Sequence, residues 1–261
     1  MMQSMFARKA LLPSGWSNNV RLQIADGRIE SVAVGASAEG ANEQVDLLIP
    51  GLCNAHSHAF QRALVGRTEQ RAPEGKDNFW SWRTRMYALA NKVGPEHLTA
   101  IATQAYCEML QAGYTSVAEF HYLHADPAAN NDAMFNALQS AAMASGIRLI
   151  YVPVLYERAG FDSESAEPHQ QRFVMALSEF VEHFERCRAN ADERTTVAIG
   201  AHSLRAVSEA SLVAIAEVAK SNDVPFHLHI AEQVAEVTQL SLIHISEPTR
   251  QLASSRMPSS A

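Results

Sequence analysis

Short apolar runs alternate with helical segments along most of this chain, and this order restricts the fold more than any other feature. Five runs have the length and apolar character of strands: residues 45–56, 114–124, 147–160, 195–207 and 224–233. Four segments between them space apolar residues as helices do: residues 94–113, 130–146, 170–190 and 208–223. This order predicts a parallel sheet covered on both faces, either doubly wound or a (β/α)8 barrel.

The positions of the histidines favour one of these architectures. Seven of the 11 histidines lie at the carboxyl ends of predicted strands: His56, His58, His121, His124, His202, His227 and His229. In a barrel these ends form one face that carries the active site, whereas an open sheet gathers its functional groups mainly at one switch point. No glycine-rich phosphate loop follows the first strand. We therefore predict an α/β fold, a truncated (β/α)8 TIM-type barrel of about five strands.

The first 48 residues show a different pattern. Apolar and polar residues alternate in residues 20–35 on both sides of Asp26-Gly27, which predicts a β hairpin because glycine tolerates a positive φ. The polar residues 36–44 are typical of a loop. We predict an N-terminal β-rich unit (1–48), a partial barrel (49–239) and a C-terminal tail (240–261).

The composition excludes several classes of function. The net charge of −7, without a basic cluster, argues against a nucleic-acid partner. No apolar run approaches the roughly 20 residues that a membrane span needs, and the first residues do not resemble a signal peptide. The three widely spaced cysteines predict neither a disulfide framework nor a cysteine zinc site, and they suit a cytoplasmic protein.

Two His-x-His pairs are the strongest chemical signal. Residues i and i+2 of a strand face the same way, so His56 and His58 share a side, as do His227 and His229. Each pair is a candidate source of zinc ligands. Glu232 follows His229 and is placed to move protons between a water molecule and a leaving amine. The alternative for His56 and His58 is a polar loop with two solvated histidines, and for Glu232 it is a solvated loop charge or a helix N-terminal residue. For His121 and His124 the alternative, ordinary polar residues on a long loop, is the stronger interpretation.

A third motif, "GAHSLRAV", contributes His202 and Arg205. The planar guanidinium of an arginine can donate two parallel hydrogen bonds to a carboxylate, which suits an acidic substrate. The alternative for Arg205 is an ordinary surface arginine. The chain has no Gly-x-Ser-x-Gly motif, so a serine hydrolase is not favoured.

These motifs carry a family resemblance. The run "PGLCNAHSHAFQRALVGRTE" resembles the first-strand metal motif of the amidohydrolase superfamily. Within that superfamily, four further motifs resemble the formimidoylglutamate deiminases: "FWSWRTRMY", "AGYTSVAEFHYLH", "GAHSLRAV" and "FHLHIAEQ". The resemblance runs from the N-terminal β unit to about Gln239.

The resemblance implies roles for nine residues. His56, His58 and His229 would be ligands of one zinc ion, with another divalent metal as the alternative, and Glu232 would be the catalytic carboxylate. Five more residues would bind the substrate: Gln61, Arg83, Tyr122, His202 and Arg205. The implied reaction hydrolyses N-formimino-L-glutamate to N-formyl-L-glutamate and ammonia in histidine degradation. The expected partner is this small acidic amino-acid derivative, without nucleic acid or membrane, and a homodimer is left open.

The end of the chain departs from the family. The family's site also uses a histidine after the sixth strand and an aspartate near the eighth, and neither is matched beyond Gln239. His244 lies only 15 residues after His229, too close to be assigned as that histidine. Residues 240–250, "LSLIHISEPTR", and 255–261, "SRMPSSA", resemble a translated sequencing adapter, so our hypothesis is an artefact tail. On this hypothesis open sheet edges predict a chain that neither folds stably nor turns over substrate.

Two other functions stay open from the sequence. One is a deaminase of the same superfamily that acts on a nucleobase or another small amino compound. The other is a metal-free binding scaffold derived from a barrel, against which the joint presence of His56, His58, His229 and Glu232 argues.

Overall fold

The computed structural model describes residues 2–68, 79–124 and 132–244. The chain divides into two compact units, Met1–Leu52 and Cys53–Ala261. The functional division predicted from the sequence, with boundaries after residues 48 and 239, stays a prediction.

The first unit is a four-stranded sheet in the order β3-β2-β1-β4. Its strands are β1 (Gln3–Leu12), β2 (Gly15–Ala25), β3 (Arg28–Val34) and β4 (Glu43–Leu48). The predicted hairpin is confirmed, because β2 and β3 pair antiparallel up to Ala25 and Arg28. Asp26 and Gly27 between them both have positive φ, 50° and 74°, as the favoured two-residue hairpin turn requires.

The second unit contains a six-stranded sheet in the order β10-β9-β7-β6-β5, with β8 paired to β7. The strands are β5 (Leu52–Ser57), β6 (Tyr114–His121), β7 (Arg148–Leu155), β8 (Thr195–Val197), β9 (Ile199–Ser203) and β10 (Phe226–His229). The pairs β6–β7, β7–β8, β7–β9 and β9–β10 are parallel. The predicted class is therefore confirmed: a small N-terminal sheet and the first part of a (β/α)8-type barrel.

Helices connect these strands. They are α1 (Phe79–Ala90), α2 (Pro95–Gln111), α3 (Ala133–Ser145), α4 (Leu177–Ala189), α5 (Glu209–Ser221) and α6 (Val234–His244), with 3-10 segments at Ala59–Leu64 and Pro168–Phe173. The predicted helix stops are confirmed, since Gly113 and Gly146 follow α2 and α3 with φ of 91° and 87°. The predicted cap is also confirmed, because the Ser208 side chain accepts a hydrogen bond from the Ser211 amide at the start of α5. None of the helices in the described part of the chain is long and apolar enough to cross a membrane.

The inner strands are buried on both faces, as the continuous apolar runs predict. Strands β6 and β7 are buried almost throughout, and the core around them is rich in tyrosine and phenylalanine side chains such as Tyr106, Tyr151 and Phe120. Strands β5 and β10, at the two ends of the described sheet order, are more exposed. This difference matters because the metal-ligand candidates lie at the ends of these two outer strands.

Two predicted elements are wrong in detail. Residues 45–56 are two strands rather than one: β4 belongs to the small sheet and β5 to the large one, with Pro50-Gly51 between them. Proline has no backbone N–H to donate to a sheet, so it interrupts the apolar run. Residues 170–190 likewise divide into a 3-10 segment and α4, separated at Val174–Ala176, where the backbone is extended at Val174 and Ala176.

Candidate metal centre and adjoining cavity

Three histidine rings meet at the carboxyl ends of β5 and β10. The Nε2 atom of His56 lies 3.1 Å from Nε2 of His58 and 3.0 Å from Nε2 of His229. One ligand atom from each ring can be chosen so that all lie within 4.8 Å of one another. The fold thus brings together three residues that are separated by up to 173 positions in the chain.

Burial favours the neutral form of these imidazoles. It lowers the pKa of His58 to about 3, with the neighbouring His56 and His229 lowering it further. It lowers the pKa of His229 to about 4, again with a contribution from His56. The pKa of His56 is lowered for the same first reason. A neutral imidazole has a lone pair to offer, which is the state that a metal ion requires.

A backbone contact selects the ligand atom of His58. Its Nδ1 atom lies 2.8 Å from the carbonyl oxygen of Phe120, and a carbonyl oxygen can only accept. Nδ1 therefore carries the proton, and the lone pair of His58 is on Nε2, the atom that faces His56. Such a hydrogen bond from the distal ring nitrogen is typical of metal-binding histidines.

The donor set fits a divalent metal. Tetrahedral zinc with Zn–N bonds of about 2.0–2.1 Å separates its nitrogen ligands by roughly 3.3 Å, close to the 3.1 Å and 3.0 Å that separate Nε2 of His56 from those of His58 and His229. Three neutral ring nitrogens with converging lone pairs repel one another unless a proton or a cation lies between them. His56, His58 and His229 thus form a group that could hold a metal ion.

A cavity of about 460 Å³ adjoins this centre. All nine residues that the sequence predicts for the site line it: His56, His58, Gln61, Arg83, Tyr122, His202, Arg205, His229 and Glu232. Aromatic and apolar side chains complete the wall: Trp82, Met86, Tyr87, Tyr156 and Phe173. The predicted residues come from six different segments, so their convergence follows from the fold and not from closeness in sequence.

Arg205 is one of two arginines on the cavity wall. Its Nη2 lies 3.7 Å from Oε2 of Glu232, and its Nη1 lies 3.7 Å from Oε2 of Glu236. The Glu236 side chain is fully buried, and its oxygens make no hydrogen bond within the described residues. Arg205 is therefore the counter-ion of a buried carboxylate as well as of the candidate catalytic one.

The other predicted substrate contacts are held by hydrogen bonds. The side-chain amide of Gln61 donates to the hydroxyl oxygen of Tyr122 at 2.8 Å, and Arg83 Nε donates to the hydroxyl of Tyr87 at 2.6 Å. Burial lowers the pKa of His202 well below its usual value, and the nearby His229 and Arg205 lower it further. This wall therefore combines two guanidinium groups with neutral polar groups in fixed positions.

Three strand-end histidines lie elsewhere. His121, the last residue of β6, and His124, in the segment after it, are both fully buried and donate hydrogen bonds to the carbonyl oxygens of Leu123 and Val154, so the loop interpretation is wrong for His121. The ring of His124 lies 5.4 Å from that of His183, in the core rather than at the cavity. His227 does not line the cavity either. The sequence predicts that His227 and His229 lie on the same side of their strand. The pairing of β9 with β10 shifts its register between Leu228 and His229, so this simple alternation is not kept.

Sequence reasoning also missed two buried carboxylates, Glu119 and Glu236. Glu119 lies in the middle of β6 and is fully buried. A charged residue within a buried apolar strand is rare unless it is paired. Glu119 within the run Ser116–Phe120 could therefore have been recognised from the sequence as a paired, buried carboxylate. Glu236 has no such signal, because it lies in a helix of mixed composition after the recognised motif.

Profiles of known families match nearly the whole chain. Residues 47–258 match the amidohydrolase family, and residues 2–46 match the N-terminal domain of formimidoylglutamate deiminase HutF. The chain belongs to the amidohydrolase family. The resemblance seen in the histidine and arginine motifs is thereby confirmed.

Individual amidohydrolases are similar over the same region. The chain is 42% identical over 246 residues to formimidoylglutamate deiminase of Pseudomonas aeruginosa, covering 90% of this chain and 53% of the relative. An amidohydrolase structure from Brucella melitensis superposes with a TM-score of 0.85 at 39% identity, covering 92% of this chain and 54% of that one. Atrazine chlorohydrolase TrzN from Arthrobacter aurescens, complexed with zinc, shares the fold with a TM-score of 0.71 at 20% identity, covering 91% and 55%. The chain thus spans about half the length of the relatives it matches.

Proposed function

We propose that this protein acts as a metal-dependent formimidoylglutamate deiminase in the cytoplasm, within histidine degradation. The reaction is N-formimino-L-glutamate plus water giving N-formyl-L-glutamate plus ammonia. One observation carries the proposal: three neutral histidines, a carboxylate and an arginine face one cavity of about 460 Å³. The 42% identity to a deiminase of this specificity supports the choice of substrate.

His56, His58 and His229 would hold one divalent ion, which we propose to be zinc because imidazole ligands suit it and a structural relative was crystallised with it. When bound, such an ion supplies a nucleophilic water at neutral pH, because coordination lowers the pKa of water to about 7. The side chains that line the cavity carry out proton transfer and substrate binding.

Glu232 is the proposed proton carrier. It lies on the cavity wall three residues after His229, and its side chain is about one-third exposed. It takes a proton from the attacking water as the new C–O bond forms at the formimino carbon. It delivers that proton to the imino nitrogen, and the proton of the new hydroxyl group then follows to the same nitrogen as the C=O bond forms, so that the C–N bond breaks and ammonia leaves neutral.

The guanidinium groups of Arg205 and Arg83 are the proposed carboxylate anchors. The substrate carries two carboxylates, and both arginines line the same cavity. The planar fork of a guanidinium binds a carboxylate through two hydrogen bonds, which fixes orientation as well as charge. Gln61, Tyr122 and His202 then provide polar contacts to the amidine group between the carboxylates and the metal centre.

Ammonia release from a panel of substrates tests the proposal. The protein is loaded with zinc and supplied with N-formimino-L-glutamate, N-formimino-L-glutamine, and adenine or guanine nucleosides. We expect release from the glutamate derivative, a kcat/KM at least tenfold lower for the glutamine derivative, and none from the nucleosides. Preferred release from a nucleoside would instead support the nucleobase deaminase alternative.

A further inference from the structure

Glu119 holds the backbone that follows His58. Its carboxylate Oε1 accepts a hydrogen bond from the backbone N–H of Ala59 at 2.6 Å, in a fully buried position. Ala59 begins the 3-10 segment Ala59–Leu64, so this bond connects β6 to the point where the chain turns after His58. A carboxylate in an apolar core carries a large desolvation cost, so a buried carboxylate at this position needs a hydrogen-bond donor as its partner.

The next residue of β6 holds the ring of the same histidine. The carbonyl oxygen of Phe120 accepts the Nδ1–H of His58 at 2.8 Å. Two successive residues of one strand therefore fix two successive residues of the metal motif, one through the backbone and one through the ring. Neither Glu119 nor Phe120 lines the cavity, so their contribution is indirect.

We infer that Glu119 is a positioning residue of the metal centre. Glu119 fixes the Ala59 amide and thereby keeps His58 within hydrogen-bond distance of the Phe120 carbonyl. That carbonyl selects the Nδ1–H form of the His58 ring, so that Nε2 is directed towards His56. The inference rests on the proposed metal site, but its geometric part, the position and tautomer of His58, is independent of any bound ion. Outer contacts of this kind typically change metal affinity 10–100-fold when they are removed.

Three substitutions separate positioning from general packing. Glu119→Gln keeps an oxygen acceptor of the same reach and should keep zinc affinity within about threefold. Glu119→Leu removes the acceptor and should lower zinc affinity at least about tenfold. Glu119→Asp withdraws the acceptor by one C–C bond, roughly 1.5 Å, and should show a comparable loss even if the leucine variant does not fold.

Glu157 offers a matched control. Its carboxylate also accepts a backbone N–H across a long sequence separation, from Ser208 at 2.8 Å, but it does not line the cavity. Glu157→Gln and Glu157→Asp should leave zinc affinity within twofold of the unsubstituted protein. Affinities are measured by competition with a chromophoric chelator, with circular dichroism confirming the same folded state in each variant.

The tautomer of His58 provides a second readout without metal. In nitrogen-15 NMR of the metal-free protein, His58 should be in the Nδ1–H form in the unsubstituted, Glu119→Gln and Glu157 variants, and should lose this preference in Glu119→Leu or Glu119→Asp. Unchanged tautomer and unchanged zinc affinity in the folded leucine and aspartate variants would overturn the inference. If the unsubstituted protein bound no zinc, the proposed function would fail, and the tautomer alone would decide the role of Glu119.

Discussion

The guanidinium group of Arg205 lies 3.7 Å from the carboxylate of Glu232 and shares its charge with the buried Glu236. One arginine thus faces the proposed proton carrier and a second carboxylate that has no other ion-pair partner within the described residues. A substrate carboxylate that binds Arg205 competes with Glu232 for the same group. On the proposed function, substrate binding and proton transfer are therefore coupled through this side chain.

Glu232→Gln should separate catalysis from binding. Loss of the proton carrier should lower kcat by about 10²–10⁴-fold, the usual contribution of a general acid–base group. Zinc content should stay unchanged, because the three histidines form the cluster without Glu232. Glutamate and other dicarboxylates should bind more tightly, because a competitor for Arg205 is removed; calorimetric titration measures this. Weaker dicarboxylate binding in the variant would contradict the coupling.

Arg205→Met should destabilise the fold as well as weaken substrate binding. It leaves the fully buried Glu236 without its counter-ion, which costs roughly 3 kcal/mol in comparable buried pairs. The double substitution Arg205→Met/Glu236→Gln removes both charges and should recover most of the lost free energy of unfolding. Urea denaturation of the single and double variants measures the recovery. A double variant that is less stable than Arg205→Met would show that Glu236 has another partner.

Glu119 should impose a pH dependence on stability. Burial raises its pKa from 4.5 to about 7, so the folded protein holds a proton that the unfolded chain releases above pH 4.5. Its contribution to the free energy of unfolding is therefore complete below pH 4.5 and falls as the pH rises to about 7. The loss is about 3 kcal/mol for a shift of this size. Glu119→Gln lacks this titration, so its stability relative to the unsubstituted protein should rise over that window in urea denaturation. A difference that does not change with pH would refute the assignment.

Gly200→Ala should disturb the proposed metal centre through the Phe120 ring. A Cβ atom there would lie 3.1 Å from Val152 Cγ1 and 3.2 Å from Phe120 Cε2, in a buried strand. The Phe120 ring in turn lies 4.5 Å from the His229 ring, measured between centroids. Overpacking of this kind costs about 1–3 kcal/mol, and we expect zinc affinity to fall with it.

Gly94→Ala is the matched control for that substitution. Its Cβ would have its nearest neighbour at 3.9 Å, and Gly94 has an ordinary negative φ of −95°. We expect a loss of at most about 1 kcal/mol, from the helix N-cap alone, and no change in zinc affinity. Thermal unfolding and chelator competition measure both variants side by side.

Much of the fold could be predicted because local rules decide it. Asp26-Gly27 sets a hairpin, Gly113 and Gly146 end helices, and the apolar runs of β6 and β7 indicate burial on both faces. The division of residues 45–56 between two sheets could not be predicted from the apolar pattern, since both halves are apolar; Pro50-Gly51 interrupts the run, but only tertiary pairing assigns the halves to different sheets.

Only part of the candidate site could be predicted from the sequence. His56, His58, His229 and Glu232 have a recognisable spacing, and the structure places them on one cavity. Burial of His121 and His124 in the core, and of Glu236 behind Arg205, depends on contacts between distant segments. Sequence spacing alone carries no information about such contacts.

The C-terminal hypothesis stays a prediction. Residues 245–261 lie outside the described part of the chain, and the amidohydrolase profile extends to residue 258.

Metal analysis tests the central claim most directly. The protein is purified with zinc present, dialysed and analysed for metal content and X-ray absorption at the zinc edge. We predict about one zinc ion per chain with nitrogen ligands at about 2.0–2.1 Å, lost when His56 and His58 are both replaced by alanine. A protein without stoichiometric metal, or one that keeps its zinc in the double alanine variant, would contradict the account.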